Sequence, residues 1–217
     1  MDIYYLGHSS FKIKTKTATI ITDPFDPKMV GLKYSGVEGE IVTISHDHPD
    51  HNSIEKVSGV KKVLSGPGEY EISGVSVMGF PSYHDNKKGE ERGKNTIYVY
   101  EAEGLRLAHL GDLGHLPSDD LLEEIGDLDV LMIPVGGFYT IGPKEAVEIV
   151  TKIEPYFVIP MHYKVDGLSS NLSEKLSPVD YFLKESGLTV EKLQKFTLKK
   201  EDIMEDQSTK VIVLEKK

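Results

Sequence analysis

The run His46-Asp47-His48-Pro49-Asp50-His51 sets four metal-ligand side chains, His46, His48, Asp50 and His51, within six residues. His46 and His48 can converge on one ion from the same side of a turn, with Asp50 and His51 converging on a second. Imidazole nitrogens and carboxylate oxygens suit Zn²⁺, and Mn²⁺ and Fe accept the same donors. The competing reading is a surface loop whose histidines collect metal by accident. The flanking elements decide between the two.

Residues 40–45 read as a short buried strand, apolar and rich in β-branched side chains. Asn52 or Ser53 then caps a helix beginning near Ile54. A strand end and a helix start would hold the ligand turn on a rigid frame. Other strands end in the same kind of residue. A hairpin of residues 2–6 and 11–14 turns at Gly7-His8-Ser9-Ser10. The strand 18–22 ends in Asp23-Pro24. An acid there is costly to bury unless paired, and it suits the second N–H of a ligand histidine; a turn-initiating Asp-Pro is the plainer alternative. The hairpin 69–72 and 75–80 runs out to His84. The hairpin 96–100 and 105–110 ends in Asp112, with His115 three residues on. After an apolar strand at 129–134 and a helix at 143–153, the strand 156–160 ends at His162. A short strand at 61–64, a capped helix after Pro117, a helix at 179–185, an amphipathic piece at 190–195 and a closing strand at 210–215 complete the pattern. Loops 24–39, 86–95 and 164–178 are left to shape a pocket. Lys87, Lys88, Arg92 and Lys94 in the second are either contacts for an anionic substrate or a solvated hairpin tip.

The 217 residues fit one domain spanning 1–217. No apolar stretch reaches membrane-spanning length, and the N-terminus carries no basic region followed by an apolar core. With no cysteine, disulfides and thiolate ligands are excluded, and the cytoplasm is the expected compartment. A net charge of −10 argues against broad electrostatic binding of nucleic acid or anionic lipid. The expected partner is a small, anionic molecule, and a homo-oligomer is compatible with the composition.

Four separate stretches thus deliver ligand-type residues: the 46–51 turn, His84, Asp112 and His162. In that order they resemble the metallo-β-lactamase-fold hydrolases, whose pattern is His-x-His-x-Asp-His followed by His, Asp and His. The resemblance covers nearly the whole chain. It implies an α/β fold, a four-layer αββα sandwich with the site at one edge between the sheets. It also implies two divalent metal ions, zinc foremost. By that resemblance His46, His48 and His84 hold the first, Asp50, His51 and His162 hold the second, and Asp112 bridges them. Gly7-His8-Ser9-Ser10-Phe11, Thr22-Asp23-Pro24, Arg92-Gly93-Lys94-Asn95-Thr96 and Gly111-Asp112 look most like the branch that includes ascorbate-6-phosphate lactonase.

The implied reaction is hydrolysis of a small ester, lactone or phosphoester, since two cations acidify a water enough to yield hydroxide near neutral pH. Asp50 would orient that nucleophile. His8 is a candidate for contacting substrate or a ligand, and His115 for donating a proton to the leaving group. His109, inside an apolar strand, reads as structural or as a support behind a ligand. Two alternatives remain: a di-iron redox protein of the same fold, and a non-catalytic metal-binding module. The redox proteins often carry an acid where this chain has His48 or His51, and degenerate copies usually lose ligands.

Overall fold

The computed structural model describes residues 1–204 and 206–216. The first part of the chain runs β1 (Asp2–Gly7), β2 (Ser10–Lys14), β3 (Thr19–Thr22), α1 (Pro27–Val30), β4 (Val37–Glu38), β5 (Ile41–Ile44), β6 (Val57–Ser58) and β7 (Lys62–Ser65). It continues as β8 (Gly68–Ile72), β9 (Val75–Tyr83), β10 (Lys94–Ala102), β11 (Leu105–His109), α2 (Asp119–Ile125), β12 (Val130–Pro134), α3 (Pro143–Ile153) and β13 (Phe157–Met161). The last elements are α4 (Ser170–Ser173), α5 (Val179–Ser186), β14 (Thr189–Leu193), β15 (Phe196–Thr197) and β16 (Lys210–Leu214).

Two mixed sheets carry the molecule. One has the order β15-β1-β2-β3-β5-β7, the other β14-β16-β13-β12-β11-β10-β9-β8. Antiparallel hairpins open each sheet in sequence, and parallel strands such as β3-β5-β7 and β11-β12-β13 follow. The parallel strands are buried on both faces, so Ile41-Val42-Thr43-Ile44 and Val130–Pro134 are apolar or β-branched throughout. Between the sheets lies one shared core, with Ile3, Phe11, Ile13 and Ile41 from the first meeting Tyr98, Tyr100, Met132 and Ile159 from the second. The amphipathic helix α3 lays Ala146 and Ile149 on the outer face of the larger sheet, where Ile125 of α2 and Phe182 of α5 join them. The outer face of the smaller sheet is covered by Phe25, Tyr34 and Leu172 from loops and short helices. The fold is the expected layered α/β sandwich, with one helical layer much thinner than the other.

Two local expectations change. No helix begins at Ile54; residues Ile54–Lys56 make a single 3-10 turn, and Ser53 makes no side-chain cap. The chain is drawn out instead into β6, which pairs in parallel with β4. Strand β9 also continues through Pro81 to Tyr83. Its pairing with β8 ends at Gly79, so Pro81 lies where one side of the strand has no partner, and the missing N–H costs no ladder bond.

Candidate metal centre

The ligand-type residues leave strand ends at one edge of the sandwich, from parallel strands and from the antiparallel β9. His46–His51 follow β5, His84 follows β9, Asp112 follows β11 by three residues, and His162 follows β13. Glycines let these ends approach. A Cβ on Gly114 would collide with the backbone of His84 and Asp85, and one on Gly136 with the carbonyl of His162. His8, Asp23 and His162 hold left-handed backbone conformations, at φ 57°, 38° and 51°. Such conformations persist where surrounding contacts enforce them, as at many functional sites.

Six of the eight histidines meet here. Ring nitrogens of His46, His48 and His84 lie within 4.8 Å of one another, and so do those of His8, His51 and His162. Asp112 stands between the groups. Its Oδ2 is 3.1 Å from His162 Nε2, 3.3 Å from His51 Nε2 and 3.5 Å from His84 Nε2. The Ser9 hydroxyl reaches its Oδ1 at 3.4 Å. Asp50 Oδ2 lies 3.8 Å from His51 Nε2 and 3.3 Å from His8 Nε2.

Asp23 sits beneath the cluster. The Ser45 N–H and hydroxyl donate to its two oxygens, at 2.8 and 2.6 Å. With its proton so used, the Ser45 oxygen accepts the N–H of His46 Nδ1 at 2.9 Å. His51 Nδ1 donates directly to Asp23 Oδ2 at 3.0 Å. Nε2 of His46 and of His51 is thereby turned inward; both atoms are buried and make no hydrogen bond, and His51 Nε2 faces the Asp112 carboxylate at 3.3 Å. Buried polar atoms are rarely left unpaired, so a shared inward space lined by orphaned imidazole nitrogens fits a cation.

The charges agree. Burial pushes the His46 imidazolium down to about 2 and that of His84 to about 4, so both rings are neutral and able to ligate. Burial opposes a charge on Asp112, but His162 and His51 overcome it and hold the acid far below its usual range. Burial likewise opposes protonation of His51, yet Asp112 and Asp50 raise its pKa well above the ordinary value.

Residues 2–162 match the beta-lactamase superfamily domain. The chain is 30% identical over 191 residues to a UPF0173 metal-dependent hydrolase of Thermococcus kodakarensis, covering 75% of this chain and 84% of that protein. The chain belongs to the metallo-β-lactamase superfamily, in its UPF0173 family. A crystal structure from Thermotoga maritima, described as a candidate Zn-dependent hydrolase of the metallo-β-lactamase superfamily, is 37% identical with a TM-score of 0.76, over 99% of each chain. The fold alone is shared with CmlA, a diiron β-hydroxylase of Streptomyces venezuelae, at 14% identity and a TM-score of 0.64, over 98% of this chain and 53% of that one.

Against this superfamily pattern, the structure brings together all seven residues expected to ligate, from His46 to His162, and adds His8. His115, expected as a proton donor to the leaving group, lies apart from the cluster. Its Nδ1–H donates to the Leu116 carbonyl at 2.9 Å, and its Nε2 accepts the Tyr83 N–H at 3.2 Å. Both ring nitrogens are spent on backbone, which leaves no N–H for a leaving group, and His115 does not line the cavity over the cluster. His109 is structural as expected: Nε2–H donates to the Ser9 carbonyl at 2.8 Å, and Nδ1 accepts the Gly111 N–H. Sequence reasoning missed Ser9 and Asn95. The Asn95 amide donates to Ser82 Oγ and the Leu110 carbonyl and accepts the Asp112 N–H at 3.0 Å, fixing the backbone of the central acid. Only their position in polar motifs at strand ends could have flagged them.

Proposed function

We propose that the protein is a dinuclear metal-dependent hydrolase of a small anionic ester, lactone or phosphoester. The observation that carries this reading is the pair of inward, buried Nε2 atoms of His46 and His51 that make no hydrogen bond, with Asp112 between two histidine groups. His46, His48 and His84 would hold one ion, Asp50, His51 and His162 the other, and Asp112 both; zinc fits the donors best. Two bound cations supply Lewis acidity and a water acidified enough to attack near neutral pH.

The chain's own residues do the rest. Asp23 and Ser45 fix which nitrogen of His46 and His51 faces inward. His8 is neutral at physiological pH, its pKa lowered to about 4 by burial and by His162. As a neutral ring with its N–H on Nε2, it donates to Asp50 Oδ2 at 3.3 Å and leaves the other Asp50 oxygen to orient the nucleophile. His8 is thus a positioning residue. Its carbonyl is held in turn by the Tyr5 hydroxyl and the His162 N–H, at 2.8 and 2.9 Å. The lactone in the substrate list follows from the Gly7–Phe11 and Thr22–Pro24 resemblance to the ascorbate-6-phosphate lactonase branch. One core shared by both sheets supports reading residues 1–217 as a single domain. Among the described residues no helix is long and apolar enough to cross a membrane.

Elemental analysis joined to hydrolysis assays tests the reading. The wild type should hold two equivalents of metal and turn over lactones, aryl esters or bis-p-nitrophenyl phosphate. Asp112→Ala should lose metal and turnover together, and His8→Gln should keep the metal while lowering kcat. A wild type that stays metal-free when Zn²⁺ or Mn²⁺ is supplied and shows no turnover would overturn it.

A further inference from the structure

The loop that follows His84 is wound around a single carboxylate. Asp85 Oδ1 accepts the N–H of Lys87 and of Gly89, each at 2.8 Å. Its Oδ2 accepts the N–H of Glu91 at 3.0 Å and of Arg92 at 2.7 Å. Asp85 is only 3% exposed. Four backbone donors on one acid make residues 86–92 a fixed feature of the site rim, where the composition alone suggests a solvated hairpin tip.

What this loop holds in place is Arg92. Its side chain lines the cavity over the histidine cluster, a space of about 440 Å³ that Asp50, Asp112 and His162 also line. The guanidinium carbon stands 5.8 Å from the centroid of the Tyr139 ring. Lys175 Nζ approaches the same ring, at 5.4 Å, and Phe138 at 4.7 Å. Tyr139 is tethered by its hydroxyl to the Asn171 carbonyl at 3.4 Å. Two cations therefore approach the Tyr139 ring, and of the two only Arg92 lines the cavity over the cluster.

Neither cation has a carboxylate within ion-pair distance among the described residues. Glu91, the nearest acid in sequence, is taken by Lys87 at 2.6 Å. In a chain of net charge −10, an arginine held at the site without an acidic partner is available to a ligand's oxyanion. Met29 and Leu172 line the same cavity and give it apolar surface suited to a short carbon spacer.

We propose that Arg92, positioned by Asp85, is the specificity anchor of this site. It binds a terminal oxyanion, carboxylate or phosphate, of a substrate whose hydrolysable group lies at the histidine cluster and whose spacer runs along Tyr139 and Leu172. The assignment rests on the hydrolase reading.

Matched esters of one length test it on the zinc-loaded protein: the mono-p-nitrophenyl ester of glutarate, p-nitrophenyl 4-phosphonobutyrate and neutral p-nitrophenyl pentanoate. In Arg92→Ala the ratio of kcat/KM for anionic over neutral ester should fall by about ten- to one hundredfold, mainly through KM. Arg92→Lys should recover part of the ratio, because it restores charge without the planar fork. Asp85→Asn should lower the ratio less than Arg92→Ala, since it loosens the loop without removing the cation. The larger loss, glutarate or phosphonate, identifies the oxyanion. An unchanged ratio in Arg92→Ala overturns the proposal even where hydrolysis itself is confirmed. If the wild type cleaves none of the three esters, the hydrolase reading is what fails for this class. Calorimetric binding of glutarate and methylphosphonate to the same zinc-loaded protein then decides on Arg92: a tenfold or greater loss of affinity in Arg92→Ala supports the anchor, and equal affinity removes it.

Discussion

Asp23 Oδ2 accepts the Nδ1 proton of His51 at 3.0 Å while the same oxygen accepts the Ser45 hydroxyl at 2.6 Å. One carboxylate outside the ligand set thereby fixes the inward nitrogen of two histidines. His51 is set directly, and His46 through Ser45. The acid is 1% exposed, and its charge survives burial because His51 donates to it and carries the opposite charge.

Asp23→Asn should therefore weaken zinc binding by about 10–100-fold, the usual scale for losing a group that orients a ligand histidine. The amide keeps one acceptor oxygen, but its NH₂ meets the donors of Ser45 or His51. Chelator competition, with the metal content of the dialysed protein as a second readout, measures the loss. An affinity equal to that of the wild type would mean that packing alone orients the two rings.

The metal-free and metal-bound states should also differ by a proton. Without metal, Asp112 and Asp50 raise the His51 pKa well above its ordinary value, so the ring is charged near neutral pH. A cation needs the Nε2 lone pair, and binding must expel that proton. Burial already keeps His46 and His84 neutral, so they add no proton release in this range. The sign follows: metal affinity rises with pH until His51 is deprotonated in the metal-free protein. Calorimetric Zn²⁺ titrations in buffers of different ionisation enthalpy should report about one more proton released per fully loaded site in the wild type than in His51→Gln.

The positions of the candidate ligands were legible because these residues follow short apolar runs. His84, Asp112 and His162 each sit just past a β-branched or alternating segment, and a strand end is a defined point in space. The failures have a common cause in tertiary contacts. Ile54 follows two good capping residues, but pairing of β6 with β4 outweighs a local helix signal. His115 looks free in the sequence, and its ring is claimed by the backbone of Tyr83, 32 residues away. Asp85 reads as one more charge before a basic loop. Its four backbone donors exist only once the loop has closed on it. Asn95 and Ser9 are ordinary polar residues until the fold sets Asp112 beside them.

The close approach at Gly114 gives a test of the frame that leaves every ligand side chain in place. Its N–H donates to the Tyr83 carbonyl at 3.0 Å, and the space for a Cβ is filled by the backbone of His84 and Asp85. Backbone cannot rotate aside as a flexible side chain can, so Gly114→Ala must push the 111–114 turn away from β9. Overpacking of this kind costs about 1–3 kcal/mol, a fall of roughly 2–12 °C in Tm for a chain of this length. The shift also separates His84 Nε2 from Asp112 Oδ2, now 3.5 Å apart, so the zinc affinity should drop together with Tm. Thermal unfolding of the metal-free protein isolates the packing cost, and the additional stabilisation on adding zinc reports the site. A variant that unfolds at the wild-type temperature and gains as much from zinc would show that the 111–114 turn has room the close contact does not reveal.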